Sequence, residues 1–178
     1  DMLASGVGDT GWIFVSQIVA SGASTIAFTN MVSGYDYMYV TGPLIGTTDN
    51  TDFWFHLGIA GPTYRSSGYL SGSGSIASGG TSTGTANTTE GMVNNGSGAV
   101  GNATDEGISF METILLNPAG TTDTHFRTIT SSRDASGVYD QCISGGMYNG
   151  AEAHTSIKYQ FSGGTITGTM MQYRRSRT

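Results

Sequence analysis

The sequence predicts an all-β fold in which two antiparallel sheets pack face to face as a sandwich. Hydrophobic and polar residues alternate through most of the chain, and a period of two is typical of half-buried strands. No window of eleven residues carries the i, i+3, i+4, i+7 pattern of an amphipathic helix. β-Branched and aromatic residues are plentiful, whereas the helix formers Ala, Leu, Glu and Lys are sparse.

The alternation predicts ten strands, which are separated by turn sequences rich in Gly, Asp and Asn. In chain order they are Trp12–Ala20, Ser24–Thr29, Tyr37–Pro43, Asp52–Ile59, Thr63–Leu70, Ile108–Asn117, Thr124–Thr130, Gly137–Ser144, Thr155–Ser162 and Thr165–Tyr173. The sequence SGGT between the last two predicts a tight hairpin, because glycine tolerates the positive φ of such turns. This many short strands without crossover helices favours a sandwich of the jelly-roll type.

Within the strands, the alternation also predicts which side chains face the core. In DFWFHLGI, Phe53, Phe55, Leu57 and Ile59 share one face, whereas Trp54 and His56 point the other way. The aromatic and aliphatic face is expected to be buried and the other to lie nearer solvent.

The segment GISFMETILL predicts an inward face that contains an acid. Strict alternation places four side chains on it: Ile108, Phe110, Glu112 and Ile114. A lone carboxylate is costly to bury. We therefore expect Glu112 to pair with Arg127 or Arg133 across the sheet.

Residues 66–107 are rich in Gly, Ser and Thr, and we interpret them as a long insertion within one domain. Five predicted strands precede this region and five follow it. Each half has roughly 70 residues, too few to bury a two-layer β core without disulfides or a metal. We therefore predict an N-terminal arm at residues 1–11, a single sandwich domain at 12–173 with an inserted loop or hairpin at 66–107, and a basic C-terminal tail at 174–178.

The chain is acidic and poor in charged residues. Of its 178 residues 11% are charged, and the net charge is −6. Such a chain, with no extended basic patch, is not expected to bind nucleic acid. The longest uncharged stretch, 10–35, is interrupted by polar residues, so no membrane-spanning segment is predicted. The single cysteine, Cys142, can form no intrachain disulfide and is predicted to be a buried small side chain.

No constellation in the sequence predicts catalysis or a cofactor. The three histidines lack the spacing of a zinc site, and no nucleophile motif accompanies Asp123 and His125. In TTDNTD, the oxygens of Asp49, Asn50 and Asp52 are suitable ligands for Ca²⁺, but the spacing of a calcium loop is absent. We interpret this segment as an Asx turn, and we expect a protein that is not an enzyme and needs no cofactor or metal.

Two groups of residues are candidates for binding a partner. The basic group, interpreted as either a solvated tail or an arm that contacts an acidic neighbour, is Arg174, Arg175 and Arg177. The aromatic group, which could stack on a sugar or else pack in the core or at a subunit interface, is Trp12, Trp54, Tyr64 and Tyr69. Within the insertion, the expected anchors of a subunit or host contact are Tyr69, Leu70 and Ile76.

The order of these features resembles a family of jelly-roll-like virion structural proteins of tailed phages, especially marine and freshwater cyanophages. The segments that carry the resemblance are IVASGASTIAFTNMVSGYDYMYVTGPL, TDNTDFWFHLGIAG, YRSSGYLSGSGS, GNATDEGISFMETILLNPAGTTDTHF and SGGMYNGAEAHTSIKYQFSGGTITGTMMQY. The pattern covers about residues 18–173. Where the family pattern ends in LYG, this chain has QYRRSRT, which suggests a C-terminus dedicated to a partner.

The resemblance implies a virion component that acts by binding. Family members occur as capsid decoration (cement) proteins and as domains of tail fibres. The expected partners are further copies of the chain, as a homotrimer, and the major capsid protein or other virion subunits. The alternative is a tail-fibre or receptor-binding domain that binds host-surface carbohydrate. The expected location is the capsid exterior or the tail, after assembly in the cytoplasm of the bacterial host.

Overall fold

The computed structural model describes residues 11–61, 63–78, 82–94 and 100–178. Within these ranges the chain is all-β, and no helix is long and apolar enough to cross a membrane. The strands are β1 (Ile13–Ala23), β2 (Ile26–Phe28), β3 (Tyr35–Gly46), β4 (Phe53–Ile59), β5 (Thr63–Tyr64), β6 (Tyr69–Ala77), β7 (Ser82–Asn87), β8 (Gly91–Asn94), β9 (Gly107–Leu116), β10 (Thr124–Arg133), β11 (Tyr139–Tyr148), β12 (Ser156–Phe161) and β13 (Ile166–Ser176). The predicted N-terminal arm lies almost wholly outside the described residues.

The strands form two antiparallel sheets that enclose one core. The large sheet has the order β1-β13-β3-β9-β10-β11-β6-β7. The small sheet has the order β2-β12-β4-β5, and β8 pairs with the same edge of β4 as β5 does. The chain alternates between the sheets at both ends, because β1, β3 and β13 lie in the large sheet and β2, β4 and β12 in the small one.

Aromatic rings fill much of the space between the sheets. The Tyr159 ring of the small sheet lies 5.6 Å from Tyr39 of the large sheet, 5.8 Å from Phe55 and 5.9 Å from Phe53, measured between centroids. Phe55 in turn meets Phe126 edge to face at 5.0 Å. Offset and edge-to-face pairs of this kind add to the stabilisation that burial of the rings provides.

The predicted all-β class is confirmed, and each predicted strand overlaps an observed one. In DFWFHLGI, Phe53, Phe55 and Leu57 are fully buried as predicted. Ile59, at the end of the strand, is only half-buried. On the opposite face Trp54 is half-buried, but His56 is buried as well, contrary to the expectation. Cys142 is also buried, as expected. The SGGT hairpin, however, is wrong: β12 pairs with β2 and β4, whereas β13 pairs with β1 and β3. The turn crosses from one sheet to the other.

The predicted inward face of β9 is wrong beyond its first residues. Ser131 of β10 pairs with Phe110, and the next residue, Ser132, pairs with Ile108, so Ser109 is an extra residue in β9. This β-bulge reverses the alternation. Ile108 is buried as predicted, but the buried side chains that follow are Met111, Thr113 and Leu115. Phe110, Glu112 and Ile114 therefore lie on the outer face.

Residues 66–107 are not a loop outside the sandwich, because they contribute strands to both sheets. β6 pairs along its length with β11, and β7 pairs with β6, so these two strands form the hairpin that the prediction allowed. β8 joins the small sheet and lies over the inner face of the large one. There the Ser144 hydroxyl donates to the Met92 carbonyl at 2.6 Å, and Ser71 donates to the Glu90 carbonyl at 2.9 Å. Small inward side chains on β6 and β11 leave room for this strand.

The basic C-terminal tail is also not as predicted, since β13 continues to Ser176. Arg174 pairs with Tyr37 and Arg175 with Asp36 in the ladder with β3. Only Arg177 and Thr178 follow the strand. Pairing with β3 continues the strand through these residues.

Candidate functional site

The aromatic candidates do not form one platform. Trp12 precedes β1 at the edge of the large sheet, and Arg175 contacts its ring. Trp54 and Tyr64 belong to the small sheet, where Trp54 points away from the core and is half-buried. The Lys158 ammonium lies 4.9 Å from the centroid of the Tyr64 ring in a cation–π contact.

Tyr69 is not available as an interface anchor, because its side chain is 1% exposed. Its hydroxyl accepts a hydrogen bond from the Leu57 amide at 2.7 Å, and its ring meets Tyr148 edge to face at 5.2 Å. Burial raises the pKa of Tyr69. The residue therefore joins β6 to the small sheet, and the two other proposed anchors, Leu70 and Ile76, are the ones that remain exposed.

The outer face of the large sheet is apolar over most of its width. We call it the apolar face. Its exposed hydrophobic side chains are Phe14, Val19, Leu70, Ile76, Phe110, Leu116, Tyr139 and Ile143. Half-buried apolar side chains fill the spaces between them: Met38, Val40, Ile114, Ile129, Met147, Met171 and Tyr173. The strand register places Phe14, Tyr173, Met38 and Ile114 in one row and Met171, Val40, Glu112, Ile129 and Ile143 in another, so one acid interrupts the second row.

Charge on the apolar face is scarce and compensated. Arg127 Nη2 lies 3.5 Å from Glu112 Oε1, which is one of the two pairings expected from the sequence, although on the outer rather than the inner face. Both side chains are partly exposed, so this ion pair contributes little to stability by itself. Neighbouring positions on β6 and β11 are Gly72, Gly74 and Gly145, which leave the surface beside Ile143 flat.

One end of the apolar face forms a pocket with basic walls. The pocket has a volume of about 350 Å³, and its lining residues are Trp12, Ile114, Leu116, His125, Phe126, Arg127 and Arg175. The Arg175 guanidinium lies 4.9 Å from the centroid of the Trp12 ring. An aromatic ring, an apolar floor and guanidinium groups suit a ligand with an apolar surface and a negative charge.

Asp36 holds the basic side chains of this end in place. Its carboxylate is almost fully buried; Arg175 Nη2 lies 3.0 Å from Oδ2, and Arg177 Nη1 lies 3.5 Å from Oδ1. The Asn117 amide also donates to Oδ1 at 3.1 Å. Two guanidinium groups thus converge on one carboxylate beside the pocket. Arg174, the third basic candidate, instead stacks on Tyr35, 4.6 Å from the ring centroid.

The sequence predicted Trp12 and Arg175 as binding residues, whereas His125 was considered only for catalysis and Arg127 only as a partner of Glu112. The alternation of THFRTIT was the available signal, because it marks His125 and Arg127 as outward when Phe126 is inward. That these residues lie beside Trp12 depends on the order β1-β13-β3-β9-β10. No local pattern in the sequence encodes that order.

A second polar cluster lies at the same end of the molecule but serves the fold. Arg65 Nε donates to Glu152 Oε1 at 2.7 Å, and the Tyr148 hydroxyl donates to the same oxygen at 2.6 Å. The Arg65 hydrogen bond, aided by that of Tyr148, lowers the pKa of Glu152 to about 2. His154 is fully buried beneath this group. The cluster fixes the segment between β11 and β12 against the loop before β6.

No group of three or more His, Cys, Asp and Glu residues in the described part of the chain is arranged to hold a metal ion. Comparison of the sequence with protein-family models and with curated proteins finds no match. The function is therefore argued from the apolar face and the basic pocket.

Proposed function

We propose that this protein is a structural subunit of a tailed-phage virion, a capsid decoration protein that assembles as a homotrimer and binds the shell. The observation that carries the proposal is the apolar face. Monomeric soluble proteins rarely leave a large contiguous apolar surface in water, and such surfaces mark interaction sites. The resemblance to virion proteins of tailed phages is the reason for proposing a phage particle as the assembly that this face joins.

The composition of the apolar face suits a protein partner. Interface cores are depleted of charge and enriched in aromatic residues and Met. Across the two central rows of the apolar face, the charged side chains are Glu112 and Arg127, which pair with each other. Alternation of the chain between the two sheets supports the jelly-roll part of the proposal, because jelly rolls join strands across a sandwich in this way.

The test is a charge placed on the apolar face. Ile143 is 56% exposed, so Ile143→Glu should leave the fold intact and bury a carboxylate only when subunits assemble. Size-exclusion chromatography with light scattering should give a trimer for the wild type and a monomer for Ile143→Glu. The matched control is Val32→Glu, since Val32 is 47% exposed but lies in the loop between β2 and β3; it should remain trimeric.

Location on the particle needs a separate measurement. An antibody against the chain should label the capsids of phage particles in electron micrographs. Label confined to the tail would favour a fibre over a decoration protein. A monomeric wild type that also fails to bind capsids would overturn the proposal.

The second candidate function is binding of a host-surface carbohydrate, and the basic pocket is the observation that favours it. Sugar rings stack on aromatic side chains, and guanidinium groups bind carboxylates. Trp12→Ala should abolish saturable binding of acidic glycans on an array, whereas Trp54→Ala, on the other sheet, should not. Loss of binding only in Trp54→Ala would place the site on the small sheet, and silence across all glycans would count against this function.

A further inference from the structure

Among the described residues, Asp140 is a buried acid without a counter-charge. It lies on the inner face of β11, between Ser132 of β10 and Ala77 of β6, and is 2% exposed. Neither of its carboxylate oxygens accepts a hydrogen bond of normal geometry. An ionised carboxylate removed from water is costly unless it is paired or bound to a metal.

Asn94, at the end of β8, is a second buried acceptor without a donor. It is 1% exposed; its Nδ2 donates to the Ser132 hydroxyl at 2.8 Å, while its Oδ1 has no hydrogen-bond partner. Ser132 is thus a neighbour of both residues, since the side chains of directly paired strand residues lie about 5 Å apart at Cβ. Three unpartnered oxygens, two from Asp140 and one from Asn94, therefore flank the same serine.

The described surroundings of Asp140 contain no positive side chain that acts on it. Within the described residues, the charged group that acts on it is Asp134, which repels it; burial first and this repulsion second raise the pKa of Asp140. Arg133, the nearest basic residue along the chain, has its Nη1 2.7 Å from Asp105 Oδ2. Val93 and Val100, both fully buried, belong to the adjacent segments. The site thus holds unpartnered acceptor oxygens in largely apolar surroundings, and the donors beside them are the Ser132 hydroxyl, Asn94 Nδ2 and the Gln141 backbone amide, whose hydrogen bond partly opposes the rise in the pKa of Asp140.

We propose that Asp140 and Asn94 bind a calcium ion, which links β8 of the small sheet to β10 and β11 of the large sheet. Carboxylate and amide oxygens are the ligands that hard cations prefer, and the Ser132 hydroxyl and water would complete the shell. Since the site has only one carboxylate ligand, the affinity should be weak, with Kd about 10⁻⁴–10⁻³ M.

The test is thermal unfolding of the full chain in EDTA, CaCl₂, MgCl₂, and NaCl at matched ionic strength. Calcium at about ten times Kd should raise the Tm of the wild type by about 3–6 °C. Asp140→Asn removes the charge with little change of shape, so it should lose this shift and be at least as stable as the wild type in EDTA. The control is Asp49→Asn, an exposed carboxylate at the same end of the sandwich, which should keep the shift.

A second variant covers the case in which Asp140→Asn does not fold. Asn94→Asp adds a carboxylate, so it should lower the Tm in EDTA and enlarge the calcium shift. The proposal is overturned if calcium does not raise the Tm of the wild type, or if Mg²⁺ or NaCl raises it equally. It is also overturned if Asp140→Asn keeps the calcium-induced Tm shift, if Asp49→Asn loses it, or if Asn94→Asp does not enlarge it. Loss of the calcium-induced Tm shift in Asp49→Asn would assign the ion to the TTDNTD turn.

Discussion

At the scale of single residues, His154 links the fold to pH. Its Nδ1 lies 3.2 Å from the Thr124 hydroxyl, and its Nε2 is 3.7 Å from Glu152 Oε1 without a hydrogen bond. Burial lowers the pKa of His154, although Glu152 partly opposes this effect. The unfolded chain therefore binds a proton at His154 at a higher pH than the folded chain does, and stability falls as pH drops below about 6.5.

Glu152 acts in a lower pH range. In the folded protein its pKa of about 2 lies below the ordinary value of 4.5. The stability that Glu152 contributes is therefore complete above pH 4.5 and is lost as pH falls toward 2. Burial also lowers the pKa of His56. The loss of stability between pH 7.5 and 5.5 is therefore assigned to His154 and His56 together. We expect urea unfolding to show a smaller loss over this interval in His154→Gln than in the wild type. His125→Gln, on the exposed face of β10, is the control and should behave as the wild type. Equal losses in all three proteins would contradict the assignment.

At the scale of the strands, the bulge in β9 decides the character of the outer surface. Without the extra residue Ser109, Met111, Thr113 and Leu115 would face outward. The bulge follows Gly107, which has φ of +102°. A Cβ at this position would lie 2.5 Å from the Leu44 carbonyl oxygen, well inside van der Waals contact. Glycine is therefore required where β9 begins beside β3.

We expect Gly107→Ala to reduce the free energy of unfolding by about 1–3 kcal/mol, since it combines a strained backbone with a steric clash. Chemical denaturation followed by circular dichroism measures the change. Gly42→Ala is the matched control in β3, where a Cβ would meet open space, and it should be neutral or slightly stabilising. A Gly107→Ala protein as stable as the wild type would show that the bulge does not depend on this glycine.

At the scale of the whole molecule, both halves of the chain build both sheets. β13 lies between β1 and β3, and β12 lies between β2 and β4. The core is closed only when these distant segments meet, and a half-length chain would leave the aromatic cluster around Tyr159 exposed. The same architecture buries one face of the large sheet and leaves the other apolar, which is why the proposed function concerns assembly.

The sequence by itself determined the β class, the approximate position of the strands and many of the inward side chains. These properties are local, since alternation with period two encodes which side of a strand is apolar. Phe53, Phe55 and Leu57 are buried as their spacing predicts. The alternation of β10 likewise predicts that His125 and Arg127 point outward.

Only the tertiary structure decided strand partners, register and the composition of each surface. One extra residue in β9 reversed the face of Phe110, Glu112 and Ile114, because every later side chain changes side after a bulge. The glycine-rich insertion became strands because β11 and β4 supply its hydrogen bonds. Strand pairing brings together segments that are far apart in the chain, so Trp12 meets Arg175 and Asp140 lies near Asn94. No local pattern in the sequence encodes that pairing.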